Sequence, residues 1–137
     1  MPNERAVIQP GDFEILSSIP VLRMLNEAQA RQFYLDYLGF EIDWESRFSP
    51  TSPLYMQIHL GAAILHLNGH ANDETPASEV HIPVLGLKHY CDDLNSKKLG
   101  YPEAIAVDPR YQRRNTDLNL YDPFGNLLVF CSQHTEP

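Results

Sequence analysis

The feature that most limits what this chain can fold into is an internal echo. The tetrapeptide IPVL occurs at Ile19–Leu22 and again at Ile82–Leu85. Each copy precedes a stretch of helical character that ends in Leu-Gly-aromatic, at Leu38-Gly39-Phe40 and at Leu99-Gly100-Tyr101. A strand, a helix and a stop repeated in the same order mark a duplicated supersecondary unit.

The first helix is expected from about Glu27 to Leu38. Ala30, Phe33, Tyr34, Tyr37 and Leu38 recur at helical spacing and form one apolar stripe. Asn26 is a suitable N-cap, and Gly39 supplies a left-handed stop. The second helix, about Lys88 to Lys98, uses Leu87, Tyr90, Cys91 and Leu94 and stops at Gly100.

Three strands are expected after the first helix, in FEIDWESRF, PLYMQIHL and AAILHLN. Three more are expected in YPEAIAV, TDLNLYD and NLLVFCS. The fold class is therefore α+β, with two tandem βαβββ modules forming a cupped mixed sheet. Module one spans about 15–75 and module two about 76–133 of a single domain, behind an N-terminal tail of 1–14.

The Gly61-Ala62 hairpin sets a register. Leu60 faces Ala63, Ile58 faces Leu65 and Met56 faces Leu67, all on an apolar face that fits beneath a helix. The opposite face carries Tyr55, Gln57, His59, Ile64, His66 and Asn68. Polar groups among apolar walls suit a small-molecule cavity. In the second half, Asn119 pairs with Val129 and Asp117 with Cys131, so Val129 joins Asn119 on the cavity side.

The net charge of -8 argues against nucleic acid, whose phosphates would be repelled. No apolar run approaches a membrane span, and the opening MPNERAVIQPGDF lacks a signal-peptide layout, so a cytoplasmic protein is expected. Two cysteines are too few for a disulfide framework.

The stretches SIPVLRMLNEAQARQFYLDYLGFEIDWESRF, AILHLNGH and YDPFGNLLVFC resemble the vicinal oxygen chelate superfamily, and within it the glyoxalase and bleomycin-resistance branch. That resemblance implies paired βαβββ modules, a cupped sheet and a homodimer. In the metal-dependent members four positions supply ligands. Carried over, they fall on Ile19, His66, Ile82 or its neighbour His81, and Val129. Ile19 and Val129 have no donor atom, which leaves at best two histidines where a catalytic ion wants three protein ligands. No cofactor or metal is expected.

The reading that follows is a metal-free protein that binds a bleomycin-type antibiotic and confers resistance by sequestration, without catalysis. In such proteins aromatic stacking and acidic groups hold a large cationic ligand. Trp44 and Phe48 match aromatic positions of that groove, and Asp43 and Glu45 supply negative charge nearby. The expected ligand-binding set is Trp44, Phe48, Tyr55, Gln57, His59, His66, Tyr111, Arg114, Asn119 and Val129. Tyr111, Arg113 and Arg114 stand where relatives often carry a tryptophan, and the two arginines suit an anion better than a cation. The alternative is a metal-dependent lyase or dioxygenase using His66 and His81. A third reading makes His66 a general base beside Gln57 and Tyr55.

Overall fold

A computed structural model describes residues 9, 11–108 and 116–133. The element order is β1 (Val21–Arg23), α1 (Glu27–Ala30) with a π-helical continuation (Arg31–Tyr37), β2 (Glu41–Ser46), β3 (Tyr55–Leu60), β4 (Ala63–Asn68), β5 (Glu79–Val84), α2 (Leu87–Lys97), β6 (Asp117–Tyr121) and β7 (Leu127–Ser132). The strands form two open mixed sheets, ordered β1-β4-β3-β2 and β5-β7-β6. The class is α+β, as expected. The strands do not run as one continuous sheet.

Local signals explain the first module. The Asn26 side chain accepts from the Gln29 N–H at 2.8 Å and caps α1. The helix then widens: the Leu38 N–H reaches the Phe33 carbonyl, five residues back, at 2.9 Å. Ala30, Phe33, Tyr34, Tyr37 and Leu38 are all buried, so the predicted stripe faces the core. Gly39 then takes a φ of 95° and releases the chain into β2. In the β3–β4 hairpin the pairs Leu60–Ala63, Ile58–Leu65 and Met56–Leu67 form as expected.

The second module is shorter in strands than predicted. Of YPEAIAV only Val107 pairs, in an isolated bridge to Asp117. The reason lies in α2. The Asn95 side chain donates to the Ala104 carbonyl at 3.0 Å and accepts from the Ala104 N–H at 2.7 Å. Backbone groups that a sheet ladder would need are already satisfied there.

The IPVL echo is also not a structural equivalence. Val21 stands beside His66, whereas His81 stands beside Val129 in the corresponding parallel pair. Leu22 is fully buried, but Leu85 is 65% exposed. The second strand starts earlier than its IPVL and carries Val80, Ile82 and Val84 onto the core. His81 therefore lies on the opposite face, beside Val129.

Both modules contribute to one buried core. Polar ties cross between them. The Arg23 Nε donates to the Phe124 carbonyl at 2.8 Å. Lys97 Nζ donates to the Tyr37 carbonyl at 2.6 Å. The Tyr90 hydroxyl, kept neutral by burial, donates to the Leu38 carbonyl at 2.8 Å. No described helix is long and apolar enough to cross a membrane.

Candidate functional site

The face of β2, β3 and β4 turned away from the helix carries a continuous chain of polar and aromatic groups. Its geometry begins with a β-bulge. Ile42 pairs with Ile58 and Trp44 with Gln57, so Asp43 is an extra residue in β2. A bulge sends two successive side chains to the same face, where alternation would separate them. Asp43 and Trp44 thereby meet on one site.

The hydrogen bonds order this site. Gln57 Nε2 donates to Asp43 Oδ2 at 3.0 Å, and His59 Nδ1 lies 2.7 Å from Asp43 Oδ1. The Gln57 hydrogen bond, with a smaller contribution from His59, holds the Asp43 carboxyl below its ordinary value. It is a carboxylate at neutral pH. Because Gln57 spends its NH₂ on Asp43, its Oε1 faces His66 Nε2 at 2.9 Å and accepts. In the neutral imidazole Nε2 then carries the proton, and Nδ1 accepts from the Tyr55 hydroxyl at 2.8 Å.

The aromatic groups pack on this chain. Trp44 and Tyr55 lie nearly parallel, at 12° and 6.1 Å between centroids. His66 meets the indole edge-on at 5.3 Å. Trp44 remains 41% exposed, so the stack presents an open aromatic surface beside a carboxylate.

Of the predicted set, Trp44, Tyr55, Gln57, His59 and His66 are brought together. Asn119 and Val129 pair with each other as predicted, but on the second sheet. Phe48 lies beyond β2 and is 95% exposed. Tyr111, Arg113 and Arg114 lie outside the described residues. Glu45 does not join Asp43. It turns toward the helix and pairs with Arg31 at 2.6 Å. The bulge explains this too, because it reverses the alternation after Asp43.

A hollow of about 630 Å³ opens elsewhere, between the segment that leads into β1, the start of β4 and β5. Ile19, Pro20, Ile64, Glu79 and His81 line it. These include two of the four positions where the superfamily's chelating members hold an ion.

The residues present do not fit such an ion. Ile19 and Val129 offer no lone pair. Both nitrogens of His66 are engaged, by Tyr55 and by Gln57. His81 is held by Glu79 at 2.8 Å. Among the described residues, no three His, Cys, Asp or Glu side chains gather closely enough to bind a metal. The same hydrogen bonds weaken the general-base reading, since the lone pair of His66 Nδ1 already receives the Tyr55 proton.

The two open mixed sheets and their helices make an α+β fold like that of solved glyoxalase-family and bleomycin-binding proteins. The sequence profile described as "Glyoxalase superfamily protein" matches residues 6–136. The chain belongs to that superfamily.

Solved structures agree on the fold. A protein assigned to the glyoxalase family from Bacillus anthracis superposes with a TM-score of 0.66 at 19% identity, over 95% of this chain and 99% of its own. The bleomycin-binding protein of bleomycin-producing Streptomyces verticillus, complexed with copper(II)-bleomycin, gives 0.66 at 18% identity, over 89% and 99%. A glyoxalase family protein from Enterococcus faecalis gives 0.60 at 17% identity, over 86% and 96%. No protein of curated function matches the chain in sequence.

Proposed function

We propose that this protein is a non-catalytic, metal-free binder of a flat cationic molecule of the bleomycin type, which it sequesters to confer resistance. The observation that carries the reading is the Trp44 site. A half-exposed indole, braced by Tyr55 and His66, stands next to the Asp43 carboxylate. A planar ring stacks on the indole face, and a cationic group gains from both the ring quadrupole and the carboxylate. The engaged nitrogens of His66 support a role in shaping the site over one in proton transfer.

The reading includes a homodimer in the cytoplasm. The first sheet presents its aromatic face openly, and Phe13, Ile15 and Leu16 are exposed ahead of β1. A second copy would bury such surface and close the site. A mass near that of one 15.6 kDa chain on gel filtration argues against this part.

The chain has one tryptophan, so ligand at this site is read directly from Trp44 fluorescence. Metal-free and copper-loaded bleomycin are titrated against purified protein. Saturable quenching at micromolar drug supports the proposal. Absence of any change, with no heat of binding by calorimetry, removes the drug from it.

A further inference from the structure

The second sheet carries a constellation that the Trp44 site does not use. His81 of β5 lies beside Val129 of β7, and Cys131 follows two residues along β7. Leu128 and Phe130 enter the core, so Val129 and Cys131 project from the other face with His81. The Cys131 Sγ lies 4.0 Å from His81 Nδ1. His81 Nε2 lies 2.8 Å from Glu79 Oε2. A carboxylate on one imidazole nitrogen fixes the proton there and leaves the other lone pair facing the thiol. That is the order of groups that activates a nucleophile.

The thiol needs this help. Its proton is also within reach of the Val129 carbonyl at 3.5 Å. Burial, then the Asp117 carboxylate, push the thiol above its ordinary value of 9.0. Without a base, Cys131 is a poor nucleophile at neutral pH.

We infer that Cys131, with His81 as base and Glu79 orienting the imidazole, is a nucleophilic site for electrophiles of the α,β-unsaturated carbonyl class. The thiol proton passes to His81 Nδ1. A C–S bond forms at the β-carbon while the C=C π pair moves to the α-carbon. The imidazolium returns the proton to the α-carbon. Nothing is oxidised or reduced, and no group leaves. Acyl transfer suits the site less well, because it needs N–H donors aimed at a developing oxyanion. β7 is the central strand of its sheet, so ladders on both sides engage its backbone. Glu79 and His81 border the hollow of about 630 Å³, whose Ile19, Pro20 and Ile64 give the electrophile's carbon skeleton an apolar wall.

The test uses the full chain carrying Cys91→Ser, so that Cys131 is its sole thiol. Acrylamide is the probe at neutral pH, and adducts are followed by intact mass and peptide mapping. His81 and Glu79 have side chains 47% and 61% exposed, so replacing them leaves the core packed. Adduct formation at Cys131 is expected to fall at least about tenfold in His81→Ala, and by less in Glu79→Gln. Added imidazole is expected to restore part of the rate in His81→Ala. Equal rates in parent and His81→Ala overturn the inference, as does a parent that forms no Cys131 adduct.

Discussion

The Tyr34 hydroxyl, on the helix of the first module, donates to Asp122 Oδ2 in the last turn of the second at 2.6 Å. The same carboxylate accepts from the backbone N–H groups of Phe124 and Asn126, both at 2.8 Å, and from Asn126 Nδ2 at 2.7 Å. Asn126 Nδ2 also reaches the Arg23 carbonyl at 2.9 Å. The DPFGN turn is thus a buried junction between the modules as well as a hairpin turn.

Tyr34→Phe leaves the shape of the core intact and removes one hydrogen bond to a buried charge. It is expected to cost about 1.5–3 kcal/mol in denaturant unfolding. It also changes the alkaline limb. Burial, then the Asp122 charge, hold the Tyr34 hydroxyl well above its ordinary value of 10.0. The unfolded chain therefore loses this proton first. The tyrosine's contribution is full below pH 10 and is lost as pH rises above it. Tyr34→Phe should flatten that slope in part, since half-buried Tyr90 adds to it with the same sign.

Gly69 follows β4, and its N–H donates to the Leu54 carbonyl at 2.7 Å. A Cβ at this position would collide with that carbonyl, a backbone atom that has no rotamer to change. Gly69→Ala is expected to destabilise the fold by about 2 kcal/mol or more, seen as a lower denaturation midpoint at unchanged m-value. Gly61→Ala meets open space, and its cost is limited to the φ of 56°.

Trp44→Ala should weaken the proposed ligand by at least about tenfold, the loss of one central aromatic anchor. Tyr55→Phe keeps the stacking partner but frees His66 Nδ1. Its effect should be smaller, and calorimetric titration separates the two.

Asp43→Asn tests the charge. A neutral amide keeps the shape but removes the attraction for a cation, so affinity should fall while thermal stability changes little. The pH dependence has a definite sign. The Gln57 hydrogen bond holds the Asp43 carboxyl below its ordinary value of 3.8. Its charge is therefore present above that value and lost as pH falls through the lower, folded one. Cation binding through Asp43 should persist at pH 4 and fail only in stronger acid. Loss of binding centred well above pH 4 would point to another group.

Much of the fold is legible in local sequence. Asn26 and Gly39 bound the first helix by their own backbone chemistry. The Gly61-Ala62 turn sets the pairing of its flanking strands within a few residues. The DPFGN turn places Val129 opposite Asn119 by the same logic. Such features depend on neighbours in the chain, so a reader of the chain can find them.

The candidate site is only partly legible. Strict alternation cannot reveal that Asp43 is inserted as a bulge, and the bulge is what joins its carboxylate to Trp44 and frees Glu45 for Arg31. The strand expected in YPEAIAV is lost to Asn95, a competitor on another element. The echo of IPVL conceals a shift in register that exposes His81 beside Val129 and brings Cys131 and Glu79 to its two nitrogens.

The sequence by itself determined the α+β class, the helix limits, the hairpin registers and the absence of donor atoms at Ile19 and Val129. Those follow from side-chain type and short-range geometry, which the order of residues contains directly. Only the tertiary structure decided which polar groups meet. It engaged both nitrogens of His66, tied Tyr34 to Asp122, and put the Trp44 site and the Cys131 site on different sheets. The physical reason is that each buried polar group must find a partner, and that choice depends on which distant elements pack beside it.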